Sequence, residues 1–294
     1  MECMVTSIRL SIRPPFGGYV DRVLRLISVE MMQKSVHADG GKAVLVWLRP
    51  IVFLAILLAV WQIAIDRHPE CLLPGPWEVA VGIVALVRNG LLLKDVVASL
   101  FRVTWGFALA CALAIPLGLM IGWYRRAEMA FNPIIQILRP ISPLAWIPIA
   151  ILWFGVGDLT AIFLIFVGCF LPLLLTTINA VQRVPAVYVN AGRNFGLGSM
   201  DLIRHVIYPA VVPQLIVGLR ITLGIAWLVV VAAEMIAVNS GLGFLIDDAR
   251  NAGNRYDLVV ASMVMIGVIG FLLDLSIRSL ENVKSFRWSY SENR

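Results

Sequence analysis

Charged residues are scarce in this chain of 294 residues, since Asp, Glu, Lys and Arg make up only 14% of it, against about 25% in an ordinary soluble domain. A soluble protein needs charges to coat its surface, so this scarcity argues against a soluble enzyme, a disordered chain and a secreted disulfide scaffold. The apolar share is 60% and the mean hydropathy is +0.88. The class that remains is a multi-spanning membrane protein, in which each span needs about 20 apolar residues.

Residues that form disulfides or bind metals are also few. The four cysteines are scattered without a Cys-x-x-Cys pair, and we interpret them as unpaired. The three histidines are isolated, so the sequence suggests no metal site. The polar N-terminal region contains no short apolar core with a small-residue cleavage site, so we see no removable signal peptide. The translation start stays open between Met1, Met31 and Met32.

Six apolar runs of helical length predict six membrane spans. They cover residues 43–65, 99–123, 133–155, 159–181, 210–238 and 258–277. The third run contains prolines at positions 133, 140, 143 and 148, and proline lacks the N–H that a helix interior requires. We therefore expect this helix to kink or break, and either to line a cavity or to be buried in protein. A harmless kink is the alternative.

Basic residues are distributed unequally between the two sides of the predicted membrane. The side that carries both termini has fifteen Lys and Arg against five on the other side, which predicts cytoplasmic termini. The net charge of +6 is then explained by insertion topology, and nucleic-acid binding loses its support. We predict a partly disordered cytoplasmic extension at 1–42, a transmembrane domain at 43–282 with a cytoplasmic loop at 184–209, and a cytoplasmic tail at 283–294.

The loop at 184–209 has the pattern of two short helices joined by a turn. Pro185 suits the first turn of a helix, and Gly196 suits the turn that follows it. Ser199 is expected to cap the second helix, and Pro209 to end it before the fifth span. The sequence therefore predicts a helix–turn–helix on the cytoplasmic surface.

The spacing within this loop resembles the signature of binding-protein-dependent ABC importer permeases, which reads Glu-Ala-Ala, three residues, Gly, nine residues, Ile-x-Leu-Pro. The corresponding positions here are Asn190, Ala191, Gly192, Gly196, Val206, Tyr208 and Pro209. The spacing matches throughout, and the identities match at Ala191, Gly196 and Pro209. The departure at Asn190 affects any salt bridge that the family's glutamate makes, but not the docking of the loop.

The resemblance extends over about residues 45–282 and is similar to the nitrate, sulfonate, taurine and bicarbonate branch of these permeases. The matching segments are 73–76, 99–103, 139–148, 153–155, 218–220, 226–227, 233–235 and 241–243. It implies an all-α membrane protein with six transmembrane helices and a type I ABC importer permease-like fold.

The resemblance also implies a function and a set of partners. The chain would be the inner-membrane permease of an ATP-driven importer for a small anionic solute. It lacks the GxxxxGK[ST] nucleotide loop, so ATP and Mg²⁺ would bind to a separate cytoplasmic ATPase dimer, with no cofactor in this chain. A second permease copy and an extracytoplasmic binding protein would complete the assembly. Whether the two permeases are identical stays open, and a homodimer is expected.

Three sets of functional residues follow from the resemblance and from the cost of placing charge in a membrane. The ATPase-coupling set is Asn190, Ala191, Gly192, Arg193, Asn194, Phe195, Gly196 and Pro209. The substrate-path set is Arg139, Pro140, Ser142, Arg220 and Glu234. The outer-gate set is Gly241 and Gly243, in a segment that could equally be a solvated loop.

Structural alternatives stand beside these roles. Glu234 could pair with Arg102 or Arg220, and Arg139 could cap carbonyls freed by the prolines of the third span. Phe195 could fold back onto the membrane helices or project as a knob for a partner protein. Other classes of protein also stay open at this point: a secondary transporter or channel, a membrane enzyme, and a purely structural membrane subunit.

Overall fold

The computed structural model describes residues 40–67, 73–251, 253 and 255–281, and the side chains that lie between 52 and 278 in those ranges. Every regular element within them is helical. The chain divides into two units at Arg67, and the first described helix, α1 (Gly40–Asp66), belongs to the first unit. The predicted N-terminal extension lies outside the described residues up to position 39, and the predicted C-terminal tail lies outside them entirely.

The second unit contains the remaining helices. They are α2 (Pro76–Arg88), α3 (Leu91–Trp123), α4 (Arg125–Leu138), a 3-10 helix (Pro143–Trp146), α5 (Ile147–Phe154), α6 (Asp158–Gln182), α7 (Ala186–Asn194), α8 (Ser199–Leu202), a π-helical turn (Ile203–Ile207), α9 (Tyr208–Ala237), α10 (Leu242–Asn251) and α11 (Tyr256–Glu281). The all-α fold predicted from the sequence is confirmed for the described ranges.

Helix α6 forms the centre of this unit, packed between α3 and α9. Its contact with α3 is close because α3 presents glycines to it. A Cβ built on Gly106 would lie 2.7 Å from Cβ of Ile165, and one on Gly118 would lie 2.5 Å from Cβ of Thr177. Small residues allow helices in a membrane to approach backbone to backbone, where van der Waals packing stabilises them. The buried residues of α6 accordingly include Leu164, Ile165 and Leu173.

The third predicted span is broken, as its prolines indicated. Helix α4 ends at Leu138, the chain bends by 83°, and the 3-10 helix and α5 carry it onward to Phe154. Pro140 and Pro143 lie in and beside the break, whereas Pro133 is accommodated inside α4. The predicted start of this span at residue 133 was wrong, because α4 begins at Arg125 directly after the end of α3.

The number of spans stays a prediction. Within the described ranges, 4 helices are long and apolar enough to cross a membrane, or up to 5 if the bent pair counts as one span. The apolar stretch Val52–Asp66 of α1 is shorter than these helices. The described helices thus agree with a multi-pass protein, and the position of the termini is not tested by them.

Candidate functional site

The loop at 184–209 folds as the predicted helix–turn–helix. Helix α7 ends in a Schellman turn, in which the Leu197 amide donates to the Gly192 carbonyl at 3.1 Å and the Gly196 amide to the Arg193 carbonyl at 2.9 Å. Gly196 has a φ of 81°, a conformation that favours glycine. These bonds satisfy the last carbonyls of α7 and fix the direction in which the chain leaves it.

The two arms of the loop pack against each other at Gly192. A Cβ at this position would lie 2.6 Å from Cδ2 of Leu202 and 3.3 Å from Cγ2 of Val206. The family signature has alanine here, and the structure shows why a small residue is needed. Leu202 and Ile207 are buried, so the second arm turns an apolar face inward.

Phe195 projects from the turn into open space. Its exposure is 87%, so the alternative in which it folds back onto the membrane helices is wrong for this conformation. Val187 and Met200, on either side of the turn, are each 73% exposed. Exposed apolar side chains on a well-ordered turn are typical of a surface that another protein covers.

The remaining residues of the predicted coupling set lie around this turn. Asn190, Ala191 and Asn194 are exposed on α7. The guanidinium of Arg193 lies over the Trp123 ring, 5.9 Å from its centroid, and this cation–π contact joins α7 to the end of α3.

Two local predictions for the second arm were wrong. Gly198 rather than Ser199 occupies the N-cap position of α8, and no side chain caps this helix. Pro209 does not end a helix, because α8, the π-helical turn and α9 run on as one helical segment, Ser199–Ala237. In the π turn the Tyr208 amide donates to the Ile203 carbonyl, and this wider turn accommodates the proline that follows.

Three of the predicted path residues lie together at the broken span. Arg139, Pro140 and Ser142 are exposed where α4 turns toward the 3-10 helix, and Ser142 Oγ accepts from the Leu144 amide at 3.3 Å. No described residue forms a hydrogen bond or ion pair with the Arg139 guanidinium, so the alternative in which it caps carbonyls is wrong for this conformation.

Arg139 lines a cleft of about 650 Å³ between α4 and α6. The cleft is unusually polar for helices at membrane depth. Its polar lining residues are Glu128, Asn132, Gln136, Arg139, Thr176, Asn179 and Gln182. Sequence reasoning missed the amides, although their spacing of about one helical turn along α4 and α6 was visible as a signal.

A buried ion pair joins α3 to α9. Arg102 is 1% exposed and Glu234 is 0% exposed, and Nη1 of the arginine donates to Oε1 of the glutamate at 2.7 Å. The same guanidinium donates to Oδ1 of Asp158 at 2.8 and 2.7 Å, and to the Ser240 carbonyl at 2.7 Å. Of the predicted partners for Glu234, Arg102 is therefore the one observed.

Side chains of α3 and α9 hold the N-terminus of α10. The Gly241 amide donates to Asp95 at 2.9 Å, the next amide to Ser99 Oγ at 3.0 Å, and the Gly243 amide to Glu234 at 3.0 Å. The first amides of a helix have no partner within it, and an N-terminus attracts negative charge. We call Asp95, Ser99, Arg102 and Glu234 the α10 anchor.

The predicted gate glycines are required by this packing. Gly241 has a φ of 106°, and a Cβ there would overlap the Glu234 carboxylate. A Cβ on Gly243 would overlap the Val231 carbonyl oxygen. Their role in a gate stays a prediction, as does a path role for Glu234, whose two oxygens are both engaged.

Arg220 forms an ion pair between α9 and α11. Its Nε and Nη2 donate to Oδ1 and Oδ2 of Asp274 at 2.6 and 2.7 Å. Asp274 is the observed partner of Arg220, so the alternative that pairs Arg220 with Glu234 is wrong. The side chains are 33% and 41% exposed, so the pair lies at a surface of this chain.

Comparison with known proteins identifies the family of this chain. The profile of the family described as binding-protein-dependent transport system inner membrane component matches residues 114–285. The chain belongs to this family. It is a permease component of an ABC importer and resides in the inner membrane.

Relatives at substantial identity come from archaea and bacteria. A putative ABC transporter permease of Methanocaldococcus jannaschii is 39% identical over 80% of this chain and 89% of its own length. The nitrate import permease NrtB of Synechocystis is 37% identical over 80% and 88%. The putative aliphatic sulfonates permease SsuC of Bacillus subtilis is 32% identical over 88% and 94%. The predicted branch of the family is thereby confirmed.

The fold agrees with solved ABC transporters. The permease superposes on a chain of the inward-facing MetNI methionine ABC transporter with a TM-score of 0.59, covering 65% of this chain and 94% of that one at 19% identity. The type I importer permease fold predicted from the sequence is confirmed. The family assignment favours an importer permease over the secondary transporter and the membrane enzyme that the sequence left open.

Proposed function

We propose that this permease forms the membrane path of an ATP-driven importer for a small anion, such as nitrate or a sulfonate. Two copies would enclose the path, a cytoplasmic ATPase dimer would bind ATP and Mg²⁺ and hydrolyse the nucleotide, and an extracytoplasmic binding protein would deliver the solute. The substrate class is supported by the names of the nitrate and aliphatic sulfonate relatives. The Arg139 guanidinium, without a counter-charge among described residues, supports an anion independently.

The observation that carries the coupling role is the exposure of Phe195 on a turn that hydrogen bonds hold in place. A large apolar side chain that is 87% exposed to water is unfavourable unless a partner covers it. The loop lies on the side that the basic residues predict to be cytoplasmic. We infer that Phe195 enters an apolar cleft of the ATPase subunit.

The helical connections of this loop suggest how movement would reach the membrane. The second arm continues into α9 as one helical segment of 39 residues, which carries both Arg220 and Glu234. The first arm contacts the end of α3 through Arg193 and Trp123. Closure of the ATPase dimer on ATP would therefore move α9 and α3 together, and the path would alternate between two discrete states.

The experiment is to purify the permease with its ATPase from cells that express both, and to compare Phe195→Asp with Phe195→Leu. We expect Phe195→Asp to reduce co-purification of the ATPase by at least about tenfold, because a charge would enter the apolar cleft. Phe195→Leu should retain binding within about twofold, since it keeps an apolar side chain. Equal ATPase recovery with wild type and Phe195→Asp would refute the docking role.

A further inference from the structure

The cleft between α4 and α6 has an ordered charge distribution along its length. Glu128 in α4 and Arg139, the residue directly after this helix, are eleven residues apart, which corresponds to about 16 Å along the helix axis. Helix α4 begins directly after the predicted cytoplasmic end of α3, so Glu128 marks the cytoplasmic mouth and Arg139 the deep end. The lining between them includes amide side chains from both helices, Asn132, Gln136 and Asn179.

The composition of the cleft indicates contact with water or a polar solute. Charged and amide side chains at membrane depth are costly against lipid and face protein or an aqueous cavity instead. Arg139 is the only cation in the lining, and it has no hydrogen-bond or ion-pair partner among the described residues. Asn132 and Gln136 contact each other weakly, at 3.4 Å, which leaves their remaining donors available.

The size of the cleft is informative as well. At about 650 Å³ it is far larger than a single water, which occupies about 30 Å³ of liquid. A small oxyanion would therefore enter with much of its hydration shell. Such a site binds weakly, and weak binding suits a conduit because a transported ion must also leave.

We propose that this cleft is an anion-binding subsite on the inner half of the transport path, which takes an oxyanion or a sulfonate group. The Arg139 guanidinium attracts the anion, and the amides of Asn132, Gln136 and Asn179 donate hydrogen bonds in place of lost waters. Glu128 disfavours retention at the mouth, so the anion is released to the cytoplasm. This subsite rests on the proposed anion-import function.

The test uses a reporter cysteine and two thiol reagents of opposite charge. Gln136→Cys is introduced into the nucleotide-free complex of permease and ATPase. Its rates of modification by sulfonatoethyl and trimethylammonioethyl methanethiosulfonate are measured, each divided by the rate with a small free thiol. Because Gln136 lies one turn from Arg139, the anionic reagent should react faster, and Arg139→Gln should lower the ratio of the two rates about tenfold or more. Sodium nitrate should slow both reactions only when Arg139 is present.

Matched variants separate the cleft from the general surface. Arg126→Gln removes an exposed arginine of α4 that does not line the cleft, and should change the ratio less than about twofold because solvent screens it. Glu128→Gln removes the opposite charge from the cleft and should raise the ratio. Asn89→Cys, in the exposed turn between α2 and α3 and on the predicted opposite side of the membrane from the ATPase, reports that both reagents are active.

Two results would overturn the subsite. One is an unchanged rate ratio in Arg139→Gln. The other is a reporter that neither reagent modifies while Asn89→Cys reacts, which would show that a second copy covers the cleft. The labelling needs neither ATP nor transport. Selective labelling without nitrate or taurine uptake by the full assembly would refute the proposed substrate class alone. Uptake with unselective labelling would refute the subsite alone.

Discussion

The two carboxylates that contact Arg102 lie at the same distance from it but differ in burial. Their removal should therefore cost different amounts of folding free energy. Glu234 and Asp158 each approach the guanidinium to 2.7 Å, yet the side chain of Glu234 is 0% exposed and that of Asp158 is 57% exposed. Removing one partner of a fully buried pair costs about 3–5 kcal/mol, and without Glu234 the buried Arg102 would keep only the solvated Asp158 as a counter-charge. Removing a solvated partner costs about 1 kcal/mol or less.

Glu234→Gln should therefore destabilise the permease far more than Asp158→Asn. The glutamine also turns an amide N–H₂ toward Ser99 Oγ and the Gly243 amide, which now donate to the carboxylate at 2.9 and 3.0 Å. We expect a loss of about 3 kcal/mol or more for Glu234→Gln, against about 1 kcal/mol for Asp158→Asn.

The assay is reversible unfolding of the purified protein in mixed detergent micelles, followed by circular dichroism. A double variant, Arg102→Met with Glu234→Gln, should be less destabilised than the sum of its single variants, because it removes the buried charge together with its partner. Equal losses for Glu234→Gln and Asp158→Asn, or a larger loss for the aspartate, would refute the claim that burial of this pair determines its contribution.

Three further sets of variants test other parts of the molecule. Gly243→Ala should destabilise the protein, because its Cβ would overlap the Val231 carbonyl, whereas Gly224→Ala has open space and should be neutral or gain up to about 1 kcal/mol in the same unfolding assay. Gly196→Asp should abolish substrate-stimulated ATPase activity in reconstituted complexes without reducing the amount of inserted permease, and retained stimulation would contradict the coupling assignment. If the pair of Arg220 and Asp274 is structural, Arg220→Gln and Asp274→Asn should destabilise the protein equally. A variant in which the two residues are exchanged should then regain stability. If Arg220→Gln instead loses uptake while its assembly and stability stay normal, Arg220 belongs to the path.

The features predicted correctly from the sequence depend on local chemistry. Prolines break a helix wherever they cannot be accommodated, so the 83° bend was predictable. The turn after α7 was predictable because its geometry needs a glycine with positive φ, and Gly196 supplies it. The same reasoning failed at Pro209. The π-helical turn that accommodates this proline depends on how the neighbouring backbone relaxes, and the local sequence does not encode that relaxation.

The features that sequence reasoning missed depend on which helices are neighbours. Arg220 pairs with Asp274 rather than with Glu234 because α9 packs on α11 at that level, and no spacing along the chain encodes this. Part of the α10 anchor could have been found, since Asp95, Ser99 and Arg102 lie on one face of α3 at helical spacing. Their common target, the N-terminus of α10, follows only from the tertiary fold.

The most direct test of the central claim is uptake of labelled nitrate and taurine into proteoliposomes that contain this permease, its ATPase and its binding protein. We expect accumulation that requires ATP on the ATPase side, that Phe195→Asp abolishes, and that Phe195→Leu preserves. Accumulation that persists without ATP, or that is unchanged in Phe195→Asp, would contradict the proposed import function.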